Sequence, residues 1–85
     1  MRVELIYAPG CSECVASKAT LQAAAQAVDR GVEWREINVL ESLDYAVELG
    51  VLTLPAVAID GALVFASLPT PAQLRQEMLR RVGRG

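Results

Sequence analysis

The feature that most limits what this chain can become is a pair of cysteines three residues apart. Cys11 and Cys14 follow an apolar run that is broken by Pro9-Gly10. They are the only cysteines in 85 residues, and there is no histidine. A structural zinc site needs four ligands, and cysteine and histidine together supply only half of that here. In a compartment that keeps thiols reduced, a pair at this spacing is more often catalytic or metal-binding than a structural bridge.

The spacing also dictates local geometry. Residues three apart inside a regular helix have Cβ atoms about 5–6 Å apart, whereas a disulfide needs roughly 3.8 Å. The pair can therefore close only if Cys11 sits at or just before the first helical residue, where the chain can adjust. The flanking sequence places it there. Val3 to Tyr7 reads as a strand, and Ala8-Pro9-Gly10 ends it. From Ser12 to about Asp29 the chain is rich in Ala, Gln and Leu, which favour helix, with Gly31 where a C-cap would fall. A helix N-terminus has unpaired N–H groups and a dipole that favours an anion. Cys11 is thus expected to have a pKa below the free value of about 8.5.

The two thiols are expected to be unequal. Cys14 shares a helical face with Leu21, Ala25 and Val28, which must turn inward to pack. Cys14 is then buried and Cys11 projects. This assigns Cys11 as the attacking nucleophile and Cys14 as the resolving thiol of a disulfide exchange. Glu13 between them suits the helix dipole but opposes a thiolate, and it is expected to stay solvated.

The remaining elements follow in order. Val32 to Asn38 alternates and reads as a second strand. Ser42 to Leu49 reads as a short helix, with Ser42 as N-cap and Gly50 as stop. Val51-Leu52-Thr53-Leu54-Pro55 is an apolar loop. Ala56 to Ile59 and Leu63 to Ala66 are strands joined by Asp60-Gly61, a hairpin turn signal. Thr70-Pro71-Ala72-Gln73 opens a last helix with a capping box and a first-turn proline, and Leu74, Met78 and Val82 lie on one side of it. The order β-α-β-α-β-β-α is an α/β arrangement. A right-handed parallel crossover joins the first strands and a hairpin the last, giving a mixed four-stranded sheet with three helices. The length fits one domain over residues 1–85. With 53% hydrophobic residues, a core is attainable without staples.

Net charge is −2. There is no basic excess that would fit nucleic acid, and no apolar run nears the roughly 18 residues of a membrane span. Met1 to Tyr7 reads as a strand rather than a signal peptide, so the expected location is cytoplasmic. Lys18, at the edge of the inward face, is expected to snorkel outward, and Tyr7 and Trp34 are expected to pack. Arg75, Arg80, Arg81 and Arg84 are expected to form a solvated face matched to the last helix's dipole.

Three stretches carry a resemblance to a known family: Ala8-Pro9-Gly10-Cys11-Ser12-Glu13-Cys14 after an apolar strand, Val51-Leu52-Thr53-Leu54-Pro55-Ala56 before the hairpin, and Asp60-Gly61 with Pro69-Thr70 before the final helix. The chain resembles the thioredoxin superfamily, in particular its short archaeal-type and glutaredoxin-like members, over essentially its whole length. The resemblance implies a thioredoxin fold and a thiol–disulfide oxidoreductase with no cofactor beyond a redox-active Cys11–Cys14 disulfide. The partners it implies are a protein disulfide substrate and an upstream reductase, and since nothing in the sequence demands a dimer a monomer is expected. The resemblance also implies that Pro55 is a cis-proline facing the cysteine pair and that Leu54 offers its backbone to substrate. Pro9, Gly10, Ser12, Glu13 and Thr53 are the other expected substrate contacts.

Two departures matter. Ser12-Glu13 stands where Gly-Pro is usual, so a redox potential does not carry over. Phe65-Ala66-Ser67-Leu68-Pro69 replaces the glycine-rich glutathione signature of glutaredoxins. Two other readings stay open from the residues. One is a Cu(I) or other soft-metal binding module that uses the same CxxC pair, although such modules run β-α-β-β-α-β. The other is a domain of this fold used only for binding.

Overall fold

The computed structural model describes residues 1–82, so Arg84 lies outside the described residues. β1 (Arg2–Tyr7) leads through a turn to α1 (Ser12–Val28), then β2 (Glu33–Asn38), a 3-10 turn (Val39–Glu41), α2 (Leu43–Leu49), β3 (Ala56–Ile59), β4 (Ala62–Phe65) and α3 (Pro71–Val82). The four strands form one sheet in the order β2-β1-β3-β4. β1 is parallel to β2 and antiparallel to β3, and β3 pairs antiparallel with β4. This is the mixed sheet and element order that the sequence predicts.

Strand parity divides the sheet into two faces. Val3 and Leu5 of β1 sit in register with Ile59 and Val57 of β3. These four residues pack with Leu21, Ala25, Leu74 and Met78 into one buried cluster, beneath α1 and α3. Glu4, Ile6, Ala56 and Ala58 occupy the other face and are also buried. α2 reaches that face through Tyr45, whose hydroxyl donates to Glu4 Oε1.

The turn chemistry performs as the residues dictate. Asp60 and Gly61 both take positive φ, 50° and 81°, the backbone of a two-residue hairpin turn that matches strand twist. Closing the turn this tightly pairs Ile59 with Ala62, so β4 begins one residue before the predicted Leu63 and ends at Phe65. The capping box forms: Gln73 N–H donates to Thr70 Oγ1 at 3.1 Å, and Thr70 N–H donates to Gln73 Oε1 at 2.9 Å. Gly50 ends α2 in the left-handed region at φ 81°.

Three expectations are corrected. Gly31 is not the C-cap of α1. Asp29 holds that place with its N–H on Ala25 O, and its carboxylate accepts the Gly31 N–H at 3.0 Å. Ser42 stands at the N-cap of α2 without a side-chain cap bond. The turn before α2 is capped instead by Asn38, whose Oδ1 accepts the Leu40 N–H at 3.0 Å. Val82 is 48% exposed and does not join Leu74 and Met78 in the core.

Glu4 is 1% exposed, the one buried charged residue of the described chain. A buried carboxylate is tolerated when it is paired and hydrogen-bonded. Glu4 has the Tyr45 hydroxyl and Arg2 Nε, 3.4 Å away. The hydrogen bond to Glu4 raises the Tyr45 pKa, and burial and the charge of Glu4 raise it further. A raised folded-state pKa means the native state holds this proton more tightly than the unfolded chain. The stabilisation is therefore complete below the tyrosine's ordinary value of about 10 and is lost as pH rises above it. Urea unfolding midpoints measured from about pH 8 to 11 should fall more steeply for the wild type than for Tyr45→Phe across the upper part of that range. Parallel curves would remove this pair as the source.

Candidate active site

The strand-to-helix junction sets the position of the cysteines. Gly10 adopts φ +86°, yet a Cβ added there would meet nothing within 4 Å. It is the backbone conformation, not lack of space, that favours glycine at this turn. Cys11 is the N-cap residue of α1, and the Cys14 N–H donates to its Sγ at 3.2 Å. The two form a disulfide with a Cα–Cα distance of 5.3 Å. The closure that spacing allows only at a helix start occurs at one.

The thiols are as unequal as their places on the helix require. Cys14 is 3% exposed and shares the inward face with buried Leu21 and Ala25, while Cys11 is half-buried. An open groove of about 440 Å³, lined by Gly10, Cys11, Ser12, Val15 and Ala16, lies against Cys11. Ser12 and Glu13 are exposed beside it, as is Pro9 before the turn.

Cys14 borders a second space. A cavity of about 90 Å³ is lined by Leu5, Tyr7, Cys14, Val15, Lys18 and Glu36. Lys18 snorkels outward as expected, to an exposed ion pair. Its stem borders the cavity and its Nζ lies 3.5 Å from Glu36 Oε1. Trp34 Nε1 donates to Glu36 Oε2 at 3.1 Å, which fixes the carboxylate from the other side. Sequence reasoning missed Glu36. The available signal was strand parity: Glu36 shares its face of β2 with Trp34, and parallel pairing sets it beside Leu5.

The loop before β3 reaches the same end of the molecule. β1 and β2 run toward that end, β3 starts from it and β4 returns to it. Thr53 Oγ1 donates to Ala66 O at 2.6 Å, tying the loop to the segment after β4. The Leu54–Pro55 peptide is cis, as the resemblance implied. Leu52 and Leu54 are exposed.

A buried and a half-exposed cysteine joined at the start of α1, on this sheet, define a thiol–disulfide oxidoreductase of the thioredoxin fold. A family profile described as a thioredoxin domain matches residues 1–79, and the chain belongs to the thioredoxin family. It is 30% identical over 82 residues to a thioredoxin of Methanocaldococcus jannaschii, covering 96% of each chain. It is 23% identical over 74 residues to a probable thioredoxin of Methanothermobacter thermautotrophicus, covering 87% of each. Its fold superposes on thioredoxin 1 of Thermosipho africanus with a TM-score of 0.78 at 24% identity, over 98% of this chain and 96% of that one. Mitochondrial thioredoxin 3 of Saccharomyces cerevisiae, in its oxidised form, gives 0.68 at 27% identity over 93% and 76%. These findings do not support the metal-binding alternative. The chain has the element order of the thioredoxin fold, not the β-α-β-β-α-β order of such metal modules.

Proposed function

We propose that this protein reduces protein disulfides, with Cys11 as nucleophile and Cys14 as resolving thiol. The observation that carries the reading is the disulfide itself: one sulfur half-exposed on a groove and the other buried behind it. In the reduced protein the Cys11 thiolate attacks one sulfur of a client disulfide. The client S–S bond breaks, a Cys11–client bond forms, and the other client sulfur leaves as a thiolate. Cys14 loses its proton and attacks Cys11 Sγ. The Cys11–Cys14 bond forms and the second client sulfur departs. Two electrons pass to the client, both client thiolates take protons from water, and an upstream reductase restores the dithiol.

The helix N-terminus and the Cys14 N–H that points at Cys11 Sγ favour charge on that sulfur. Pro9, Gly10, Ser12 and Glu13 border the point of attack. Thr53, Leu54 and Pro55, on the loop at the same end of the sheet, are the second set of contacts in this reading, and the Leu54 backbone pairs with an extended client segment. The disulfide is the whole redox equipment in this reading, and the working form is a single-domain cytoplasmic monomer. The direct test is reduction of insulin disulfides with dithiothreitol as electron source. The protein is expected to accelerate it, and an unchanged rate would overturn the general reductase reading.

Resolution needs a proton acceptor, because Cys14 must attack as a thiolate and its burial disfavours the charged form. Glu36 borders the cavity that Cys14 borders, and that cavity has room for water, which occupies about 30 Å³ per molecule. In our reading Glu36 takes the Cys14 proton through such a water, and Lys18 and Trp34 hold its carboxylate in place. Glu36→Gln should slow breakdown of the mixed disulfide by at least about tenfold at neutral pH. The deficit should shrink as pH rises and hydroxide takes over the deprotonation, a change that a purely structural defect would not produce.

A further inference from the structure

The charges of this chain are segregated. Residues 3–17 and 36–74 contain neither lysine nor arginine. These stretches include every segment at the disulfide end of the sheet: the β1–α1 turn, the exit of β2, the loop before β3 and the exit of β4. The cations that bound these stretches toward this end are Lys18, held by Glu36, Arg75, a turn inside α3, and Arg35, within β2 opposite Glu4 and three residues short of the strand's exit. What this end presents is apolar and acidic. Val15 is 68% exposed, Leu52 95% and Leu54 39%. Glu13 stands between the cysteines, exposed and without an ion-pair partner among the described residues.

We infer that Glu13 makes the protein selective for client disulfides flanked by lysine or arginine, docked against the apolar surface around Cys11. The inference rests on the disulfide-reductase reading above. In the reduced protein two negative charges sit within three residues, the Cys11 thiolate and the Glu13 carboxylate, and no cation of this end offsets them. A client cation beside its disulfide is attracted to both and a client carboxylate is repelled by both. The groove of about 440 Å³ along Gly10, Cys11, Ser12, Val15 and Ala16 gives such a segment a seat over the sulfur. Its floor is backbone and small or apolar side chains, so the charged groups around it decide between clients of similar shape. Interactions of this kind act mainly on the rate of encounter and are screened by salt.

The test uses two synthetic peptides of equal length, each closed by one disulfide, with arginine beside the cysteines in one and glutamate in the other. Bis(2-hydroxyethyl) disulfide serves as an uncharged probe. Reduction by the pre-reduced protein is followed at low and high salt. The arginine peptide should react roughly tenfold faster at low salt, and the ratio should shrink as salt rises. Glu13→Gln should lower the low-salt ratio several-fold, and Glu13→Lys should lower it further. Comparing ratios between proteins cancels both the peptides' own reactivity and any change in Cys11 nucleophilicity. If the uncharged probe is reduced but the peptides react alike, or the ratio survives Glu13→Gln, charge selection by Glu13 is wrong. If the uncharged probe is not reduced, the redox reading falls and takes this inference with it.

Discussion

Replacing Cys11 by serine should return insulin reduction to the rate of dithiothreitol alone, whereas replacing Cys14 by serine should leave a protein that attacks but cannot let go. The asymmetry follows from burial. Cys14 is 3% exposed, so no client sulfur reaches it and it cannot substitute for Cys11 as nucleophile. A serine hydroxyl at the N-cap still caps the helix, so Cys11→Ser should fold while lacking a thiolate. In Cys14→Ser the attacking thiolate remains at the helix start, with the residue 14 N–H still available to Sγ. It therefore forms the client–Cys11 disulfide but has no internal thiol to break it. The expected readout is a covalent adduct of protein and client that survives denaturation and disappears with added dithiothreitol. Trapping at residue 14 in Cys11→Ser, or no adduct in Cys14→Ser, would reverse the assignment of the two sulfurs.

Much of this was legible because short-range chemistry and tertiary structure agree. Asp60-Gly61 can hardly do anything but turn, Thr70 and Gln73 satisfy each other's N–H groups within one helical turn, and Pro9-Gly10 separates a strand from a helix at the residue where the disulfide must close. Each signal lies within a few residues of what it determines, and each structure forms there. The unequal burial of the cysteines was legible for the same reason, since a helical face is a local property.

What stayed hidden depends on which element covers which. Glu4 reads as a polar interruption of an apolar strand. Its burial is decided by Tyr45, 41 residues away, which brings a hydroxyl to a face that would otherwise be wet. The Lys18–Glu36–Trp34 network requires the register of β2 on β1, which periodicity does not supply. Val82 keeps the spacing of Leu74 and Met78, but it falls in the last turn described for α3 and remains exposed. The return of the Thr53-Leu54-Pro55 loop to the cysteine end was implied by family resemblance and not by pattern, because it follows from the sheet order β2-β1-β3-β4.

Leu5→Ala should be among the most damaging single substitutions that leave the cysteines untouched. Leu5 is 1% exposed on a strand paired on both sides, opposite Glu36 on β2 and Val57 on β3. It belongs to the cluster that joins the sheet to α1 and α3, so no neighbour can move into its volume without shifting a strand or a helix. Truncation of a leucine held this way costs about 3 kcal/mol, within a range of roughly 2–5. Chains of this length have total stabilities of only about 4–13 kcal/mol, and each kcal/mol lowers Tm by about 4–8 °C. A fall of roughly 12–24 °C is expected, against a shift within about 0.5 kcal/mol for Val15→Ala on the exposed side of α1. The substitution also enlarges the cavity that Leu5 borders together with Cys14. It leaves Cys11, the Gly10 turn and the start of α1 unchanged. Well below its lowered Tm the variant should therefore still form the client adduct at Cys11, while heat inactivates it early. If adduct formation were lost in the folded protein, Leu5 would matter to the chemistry directly; if Tm moved by only a degree or two, the sheet and α1 would not be packed through this residue as described.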